Sequence, residues 1–314
     1  MFNRRQLLTN AVKAAGLGAV ATLLPSSVRK LQAKDAAKPL QFKYAVCNEL
    51  FGDWPFEKAF AFAAECGYRG IEIAPFTLAK YASEISAARR SEVRQLAKQS
   101  GLEVVGLHWL LAKTEGFHLT SPDAAVRRKT ADYLGELAHL CADLGGRIMV
   151  LGSPQQRDLA PGMSKEQGMK LAAEVLQTAA PVLEKTGVVI AIEPLAPVET
   201  NFLTSAAEGA ELVALVNSPT CRLHLDCKAM ATEKATIPDL IHKYRKLFVH
   251  LHANDPNRQG PGFGKLDFVP IMKALTEIDY RGWVSVEPMD YTPGIERLAR
   301  KSIEYLRRCA AKSR

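Results

Sequence analysis

Several absences narrow the classes of protein to which this sequence can belong. The six cysteines include no CxxC pair, so we expect them to be reduced and mostly buried rather than joined in a disulfide framework. Beyond the N-terminal segment, no apolar run is long enough to span a bilayer. The first strand-like run is followed by residues 47–51, which contain neither a GxGxxG nor a P-loop phosphate motif. These absences argue against a membrane-spanning domain and against the common nucleotide-binding folds.

The N-terminus has the pattern of an export signal. Arg4 and Arg5 precede a short apolar run at residues 14–24, and a small residue, Ala33, marks a loosely A-x-A-like cleavage site. We therefore expect residues 1–33 to be a twin-arginine (Tat) export signal, which would make the mature protein periplasmic or otherwise exported. The alternative is an uncleaved N-terminal anchor.

Removing this segment changes the charge balance. Its basic residues are Arg4, Arg5, Lys13, Arg29 and Lys30, and it has no acidic residue, so the formal net charge falls from +8 to +3. This mild surplus gives no reason to expect a nucleic-acid partner, and we expect no membrane partner after signal removal. Assembly into a homo-oligomer stays open.

From residue 40 onward, strand-like and helix-like patterns alternate. Apolar runs of strand length occupy residues 42–47, 69–74, 103–109, 147–151, 188–192, 221–225, 247–252 and 283–287. Ser121–Pro122, Ser164, Ser205 and Thr292–Pro293 are typical of helix starts between them. Eight such units in roughly 275 residues match a (β/α)8 TIM barrel, an α/β fold, as a single domain at residues 40–312. A doubly wound open sheet is the alternative.

Four consecutive predicted strands, the fifth to the eighth, each end on a side chain that can bind a metal. These side chains are Glu193, Asp226, His252 and Glu287. In a parallel barrel, polar residues at the carboxyl ends of strands form the site of chemistry. Three carboxylates and one imidazole suit one divalent ion, with Mn²⁺, Mg²⁺ or Co²⁺ favoured and Zn²⁺ as an alternative. A single solvated glutamate or core histidine would be unremarkable, but four on adjacent strands indicate a metal site.

The four residues, spaced 33, 26 and 35 positions apart, resemble the metal site of the sugar isomerase/epimerase barrels related to xylose isomerase. The spacing is most similar to that of ketose 3-epimerases of the D-tagatose 3-epimerase type. The resemblance implies that Glu193 and Glu287 also act as the acid–base pair on opposite faces of the substrate. It further implies that Glu199 and Arg258 contact substrate hydroxyls.

One position departs from that family. Ketose 3-epimerases usually carry an Asp-x-x-His pattern at the metal aspartate, whereas here Asp226 is followed three residues later by Ala229. The histidine that would contact the terminal oxygens of a free ketose is therefore missing here. Lys228 lies between the two positions and could supply a positive charge.

Three further residues near strand ends are candidates for substrate binding. His108 and Trp109 close the third strand, and Glu72 lies near the end of the second. His108 could donate a hydrogen bond to a substrate oxygen, and Trp109 could stack on a sugar ring. Each could instead be structural, as a buried barrel histidine or an aromatic cap on the barrel mouth.

The predicted function is a divalent-metal-dependent isomerase or epimerase that acts on a small carbohydrate through a metal-stabilised enediolate. A dehydratase or lyase acting on a keto-sugar, keto-glycoside or inosose would use the same residues and is the alternative. An apurinic-type endonuclease is disfavoured, because such enzymes bind three metals and this chain has only seven histidines. A non-catalytic sugar-binding protein is disfavoured by the intact set of four ligands.

Overall fold

The computed structural model describes residues 41–313 as a closed barrel of eight parallel strands, paired in chain order with β8 returning to β1. The strands are β1 Lys43–Cys47, β2 Gly70–Ile73, β3 Glu103–Leu107, β4 Ile148–Leu151, β5 Val189–Ile192, β6 Cys221–Asp226, β7 Phe248–Ala253 and β8 Trp283–Val286. The predicted TIM barrel is confirmed. The predicted signal segment, residues 1–33, lies outside the described residues.

Helices surround the barrel and cover its apolar outer face. They are α1 Phe56–Cys66, α2 Ala87–Gln99, α3 Ala124–Leu144, α4 Lys165–Thr186, α5 Ala206–Val216, α6 Cys227–Met230, α7 Ile237–Tyr244, α8 Phe268–Glu277 and α9 Ile295–Lys312. In residues 41–313, no helix combines the length and the apolar character needed to cross a bilayer. The six cysteines are free and buried, as expected.

The helix starts show where local patterns mislead. Ser164 and Ser205 cap α4 and α5 as predicted, each accepting a hydrogen bond from a backbone N–H three residues later. The start predicted at Ser121–Pro122 was wrong by two residues, because Asp123 accepts from the Ala125 N–H and caps α3 instead. The helix predicted after Thr292–Pro293 begins only after Gly294.

Strand register brings the predicted ligands to one level of the barrel. Asp226 pairs with His252, and His252 pairs with Ser285, two residues before Glu287. Because alternate residues of a strand face the same side, the residues two positions earlier, His224 and His250, form the layer beneath. The functional side chains therefore stand on a buried layer of imidazoles.

One glycine allows β3 and β4 to approach each other. A Cβ added to Gly106 would lie 1.7 Å from the carbonyl oxygen of Ile148, and Gly146 packs against the same segment. Both contacts are with backbone, which cannot rotate away. The strand pairing at this edge of the barrel therefore requires glycine.

We predict that Gly106→Ala lowers the free energy of unfolding by about 3 kcal/mol, because two paired strands must separate to accept the methyl group. The matched control is Gly135→Ala inside α3, where an added Cβ would sit 3.5 Å from Val182 at ordinary contact distance. That change should stabilise the protein by about 0.5–1 kcal/mol through helix propensity. Urea unfolding followed by circular dichroism measures both, and equal effects would contradict the close approach.

Candidate metal centre and active site

The four predicted ligands meet at the carboxyl end of the barrel. Glu193 and Glu287 each follow a strand by one residue, whereas Asp226 and His252 are still within β6 and β7. All four are buried, with His252 fully enclosed and the carboxylates at most 6% exposed. Ligand atoms of Glu193, Asp226 and His252, together with those of His224, lie within 4.8 Å of one another. The structure thus brings together the residues that the sequence singled out.

The imidazole of His252 is held between carboxylates on both of its edges. Its Nε2 lies 3.2 Å from Glu72 Oε2, and its Nδ1 lies 3.1 Å from Glu287 Oε2 and 3.6 Å from Glu193 Oε1. Burial opposes the charged form of Glu72, but His250 and His252 lower the pKa of Glu72 well below its usual range. Burial lowers the pKa of His252, but Glu287 and Glu72 raise it well above its usual value, so the surrounding carboxylates favour positive charge at this position.

The donor set fits a divalent cation. His252 Nδ1 is buried and has no hydrogen-bond partner although it faces two carboxylate oxygens, an arrangement that a cation between them would satisfy. Burial raises the pKa of Asp226 to about 7, and Glu193 and Glu287 act in the same direction while Lys228 opposes them. The site therefore lacks positive charge, and oxygen-rich sites of this kind suit Mg²⁺ or Mn²⁺.

Asn254 is a site residue that the sequence-based reasoning missed. Its Nδ2 donates to Asp226 Oδ2 at 2.6 Å and contacts Glu287 Oε2 at 3.3 Å, while its Oδ1 accepts from the Lys228 backbone N–H. Asn254 therefore orients two carboxylates without being a ligand itself. Its position two residues after His252, on the same face of the chain, was the available signal.

Two further features fix the position of Glu193. Gly152 leaves room for its carboxylate, since a Cβ at residue 152 would lie 1.5 Å from Glu193 Oε2. The buried guanidinium of Arg157 donates to the backbone oxygens of Glu193, Leu151 and Ser153. Burial lowers the pKa of Arg157 to about 10, so its charge persists beside the acidic cluster at neutral pH.

The predicted substrate residues divide into two groups. Glu199 and Trp109 line the pocket above the carboxylates, and Arg258 lines the space outside it. His108 and Glu72 are buried away from that pocket: His108 Nε2 contacts Glu49 Oε2 at 2.6 Å, and both oxygens of Glu72 contact histidines. Their role in the structure is to orient other side chains.

Lys228 lies at the pocket, a position that could not be predicted from the sequence. Its ammonium group lies 2.6 Å from Glu199 Oε2, and both residues line the pocket. Burial lowers the pKa of Lys228, but Asp226 and Glu199 raise it above its usual value. A charged ammonium group therefore stands beside the position where ketose 3-epimerases usually have histidine.

A model of the xylose isomerase-like TIM barrel family matches residues 60–309. The chain belongs to this family. The D-psicose 3-epimerase of Ruminiclostridium cellulolyticum is 27% identical over 227 residues, which are 72% of this chain and 75% of the relative.

Solved structures of the family share the fold. The D-psicose 3-epimerase from Clostridium cellulolyticum H10, determined with D-tagatose, has a TM-score of 0.75 at 21% identity, covering 86% of this chain and 99% of that one. The 3-keto-D-glucoside 4-epimerase from E. coli has a TM-score of 0.74 at 22% identity, covering 86% of this chain and all of that one. At this identity the likeness establishes the barrel and leaves the substrate open.

We predict that Asn254→Ala weakens Mn²⁺ binding by about 10- to 100-fold, because Asp226 and Glu287 lose the group that orients them. Titration calorimetry with Mn²⁺ measures the change. Asn257→Ala, in the exposed loop after β7, is the matched control and should bind Mn²⁺ as the unchanged protein does. Unchanged affinity in Asn254→Ala would contradict the orienting role.

Proposed function

We propose that this protein is a divalent-metal-dependent sugar epimerase in which Glu193 and Glu287 form the acid–base pair. The observation that carries the proposal is the convergence of both carboxylates on His252 Nδ1, at 3.6 and 3.1 Å, beside a pocket that both of them line. Family membership and relatives named as ketose 3-epimerases support a sugar as substrate and epimerisation as the reaction.

In the proposed mechanism, one glutamate removes the proton from a carbon beside the substrate carbonyl, and the other returns a proton to the opposite face of that carbon. Because Glu193 follows β5 and Glu287 follows β8, the two bases approach the pocket from different sides. Trp109 and Met289 line the same pocket and would exclude water from the carbanionic intermediate. Inversion at one carbon is the expected outcome.

A divalent ion held by Glu193, Asp226, His252 and Glu287 would polarise the substrate's carbonyl and adjacent hydroxyl oxygens as a Lewis acid. Asn254 and Glu72 keep three of these ligands in place through the contacts described above. Lys228 and Glu199 supply a donor and an acceptor for hydroxyl groups farther along the sugar.

We predict that Glu193→Gln and Glu287→Gln each lower the rate of epimer formation by at least 100-fold, since inversion needs both bases and an amide cannot accept the proton. The remaining glutamate should still exchange the hydrogen on the face that it approaches. The measurement is deuterium incorporation from D₂O into a panel of ketoses and keto-glycosides, followed by NMR. Epimer formation supports the proposal, whereas loss of a leaving group would replace it with a lyase.

Glu166→Gln on the exposed face of α4 is the matched control and should retain the full rate. Because Glu193 and Glu287 are also proposed ligands, Mn²⁺ binding by each variant has to be measured in parallel. An unchanged rate of epimer formation in either metal-loaded variant would contradict the acid–base assignment.

The removal of metal gives a separate prediction. Protein treated with a chelator should lose exchange activity and recover it with Mn²⁺, Mg²⁺ or Co²⁺, with Zn²⁺ tested alongside. An ion at 100 times its dissociation constant should also raise the free energy of unfolding by about 2.7 kcal/mol. Thermal unfolding with and without each ion measures this shift, and no shift with any divalent ion would contradict the metal site.

We also propose that the full-length chain is exported by the twin-arginine route, on the strength of Arg4, Arg5 and the apolar run that follows. Changing both arginines to lysine should leave the protein in the cytoplasm. Fractionation of cells that express the two forms tests this, and equal export would contradict the route.

A further inference from the structure

The pocket above the carboxylates opens into a larger space. The inner pocket, lined by Trp109, Glu193, Asp226, Glu287 and Met289 among others, has a volume of only about 20 Å³. That is enough for one water or small ion, and a sugar ring needs far more. Trp109, Pro154 and Met289 also line an outer chamber of about 420 Å³, which extends to Phe76, Lys113, Gln155, Arg258 and Tyr291. A reacting sugar would therefore lie in the outer chamber with its reacting edge at the inner pocket.

The outer chamber continues into a second space of similar size. This side cleft has a volume of about 670 Å³ and runs along the loop after β1, where Trp54 and Phe56 line it. Glu49, Phe76, Lys113 and Tyr291 line both spaces, so they form the junction between them. Each space alone falls in the range of about 300–1,000 Å³ that is typical of small-molecule sites. The two together exceed what a single sugar ring needs.

Glu49 at the junction carries a polar atom that the protein leaves without a partner. Its side chain is 9% exposed, and His108 fixes Oε2 at 2.6 Å, whereas the buried Oε1 has no hydrogen-bond partner. A buried acceptor without a donor costs free energy, so such atoms are rare unless a ligand satisfies them. Glu49 lines both spaces, so a hydroxyl group of a molecule that spans their junction comes within reach of its carboxylate.

The charges of the two spaces favour a neutral ligand. Lys113 and Arg258 are exposed to solvent and screened by it, and their charges oppose that of the Glu49 side chain, which is 9% exposed. The side cleft adds the carboxylates of Asp53 and Glu57 against the guanidinium of Arg89. A phosphate or carboxylate group would meet an unpaired carboxylate oxygen, whereas a polyol would satisfy it.

Aromatic and amide groups complete a surface suited to carbohydrate. The rings of Trp54, Phe56, Phe76 and Tyr291 line the side cleft, and Tyr291 is 39% exposed. Apolar ring faces stack on the C–H faces of sugars, and the amide of Gln155 in the outer chamber can both donate to and accept from hydroxyl groups.

We propose that the substrate is a keto-sugar linked to a second, uncharged sugar unit, with the second unit in the side cleft and Glu49 accepting a hydrogen bond from one of its hydroxyls. This proposal rests on the proposed epimerase function, because it assumes that the reacting carbon lies at the inner pocket. It makes Glu49 a substrate-binding residue and His108 the residue that positions it.

The test compares matched substrates by deuterium exchange in D₂O with the Mn²⁺-loaded, full-length protein. One set is D-fructose, isomaltulose, maltulose and D-fructose 6-phosphate, and the other is methyl 3-keto-D-glucoside with 3-ketomaltose. We expect kcat/KM for the best glycosylated substrate to exceed that of its unglycosylated parent at least tenfold. Isomaltulose and fructose 6-phosphate are substituted at the same oxygen, so their comparison separates a neutral from an anionic substituent.

Two variants test which residues cause the preference for glycosylated substrates. Glu49→Ala should reduce the preference for the glycosylated substrate by roughly 10- to 100-fold, the effect of losing a hydrogen bond to a charged group, and mainly through KM. Tyr291→Ala should reduce it by roughly 2- to 10-fold through lost stacking. Lys170→Ala, on the exposed face of α4, is the control and should keep the preference. Thermal unfolding of each variant checks that the fold is retained, and the ratio of two substrates is insensitive to the amount of active protein.

The outcomes separate this proposal from the one on which it rests. If no member of either set exchanges its hydrogen, the epimerase function fails. If the parents exchange as fast as their glycosylated forms, or fructose 6-phosphate exceeds isomaltulose, the second sugar unit is wrong and the epimerase function stands. An unchanged preference in Glu49→Ala would overturn the role of Glu49.

Discussion

The close burial of like charges is the constraint on which the site depends. Glu193, Asp226 and Glu287 converge at the end of the barrel, and His252 turns Nδ1 toward two of them. Two unit charges 4 Å apart repel by about 4 kcal/mol at the effective dielectric constant typical of proteins. Asn254, Arg157 and Lys228 offset part of this repulsion through hydrogen bonds and positive charge, and the divalent cation that we propose would offset the rest.

The barrel can hold these carboxylates close together despite their repulsion, because the hydrogen bonds between strands, rather than contacts between the side chains, fix their positions. Each ligand lies on or just after a strand whose hydrogen bonds run to both neighbours. Beneath them, Glu72 joins His250 and His252 and is itself fully enclosed. The proposed metal ligands therefore lie on a buried polar layer, and contacts of this kind keep ligand side chains oriented.

The barrel, and the convergence of the four candidate ligands at one end of it, could be predicted because both follow from short-range patterns. Apolar runs define strands, and a parallel barrel brings their ends to one level, so Glu193 and Glu287 could be paired across 94 positions of the sequence.

The supporting contacts depend on which side chains meet across the barrel, and no local pattern encodes that. Glu72 and His108 are both polar residues near strand ends, yet they face histidine and glutamate rather than the pocket. Asn254 had only its spacing from His252 as a signal, and Glu49 had none, because an isolated acid in a loop is usually solvated.

The proposed metal ligands and many of the residues that line the substrate spaces come from different parts of the barrel, which affects how this protein could diverge in evolution. The proposed ligands come from β5 to β8, whereas Glu49, Trp54, Phe76, Lys113 and Gln155 lie in loops after β1 to β4. Loops tolerate insertion and replacement far better than paired strands do. Transplanting the loops after β1 to β3 between relatives would then exchange the molecules they accept, while Gly152 and Arg157 in the loop after β4 keep Glu193 in place. One set of reactive side chains could in this way serve many carbohydrates.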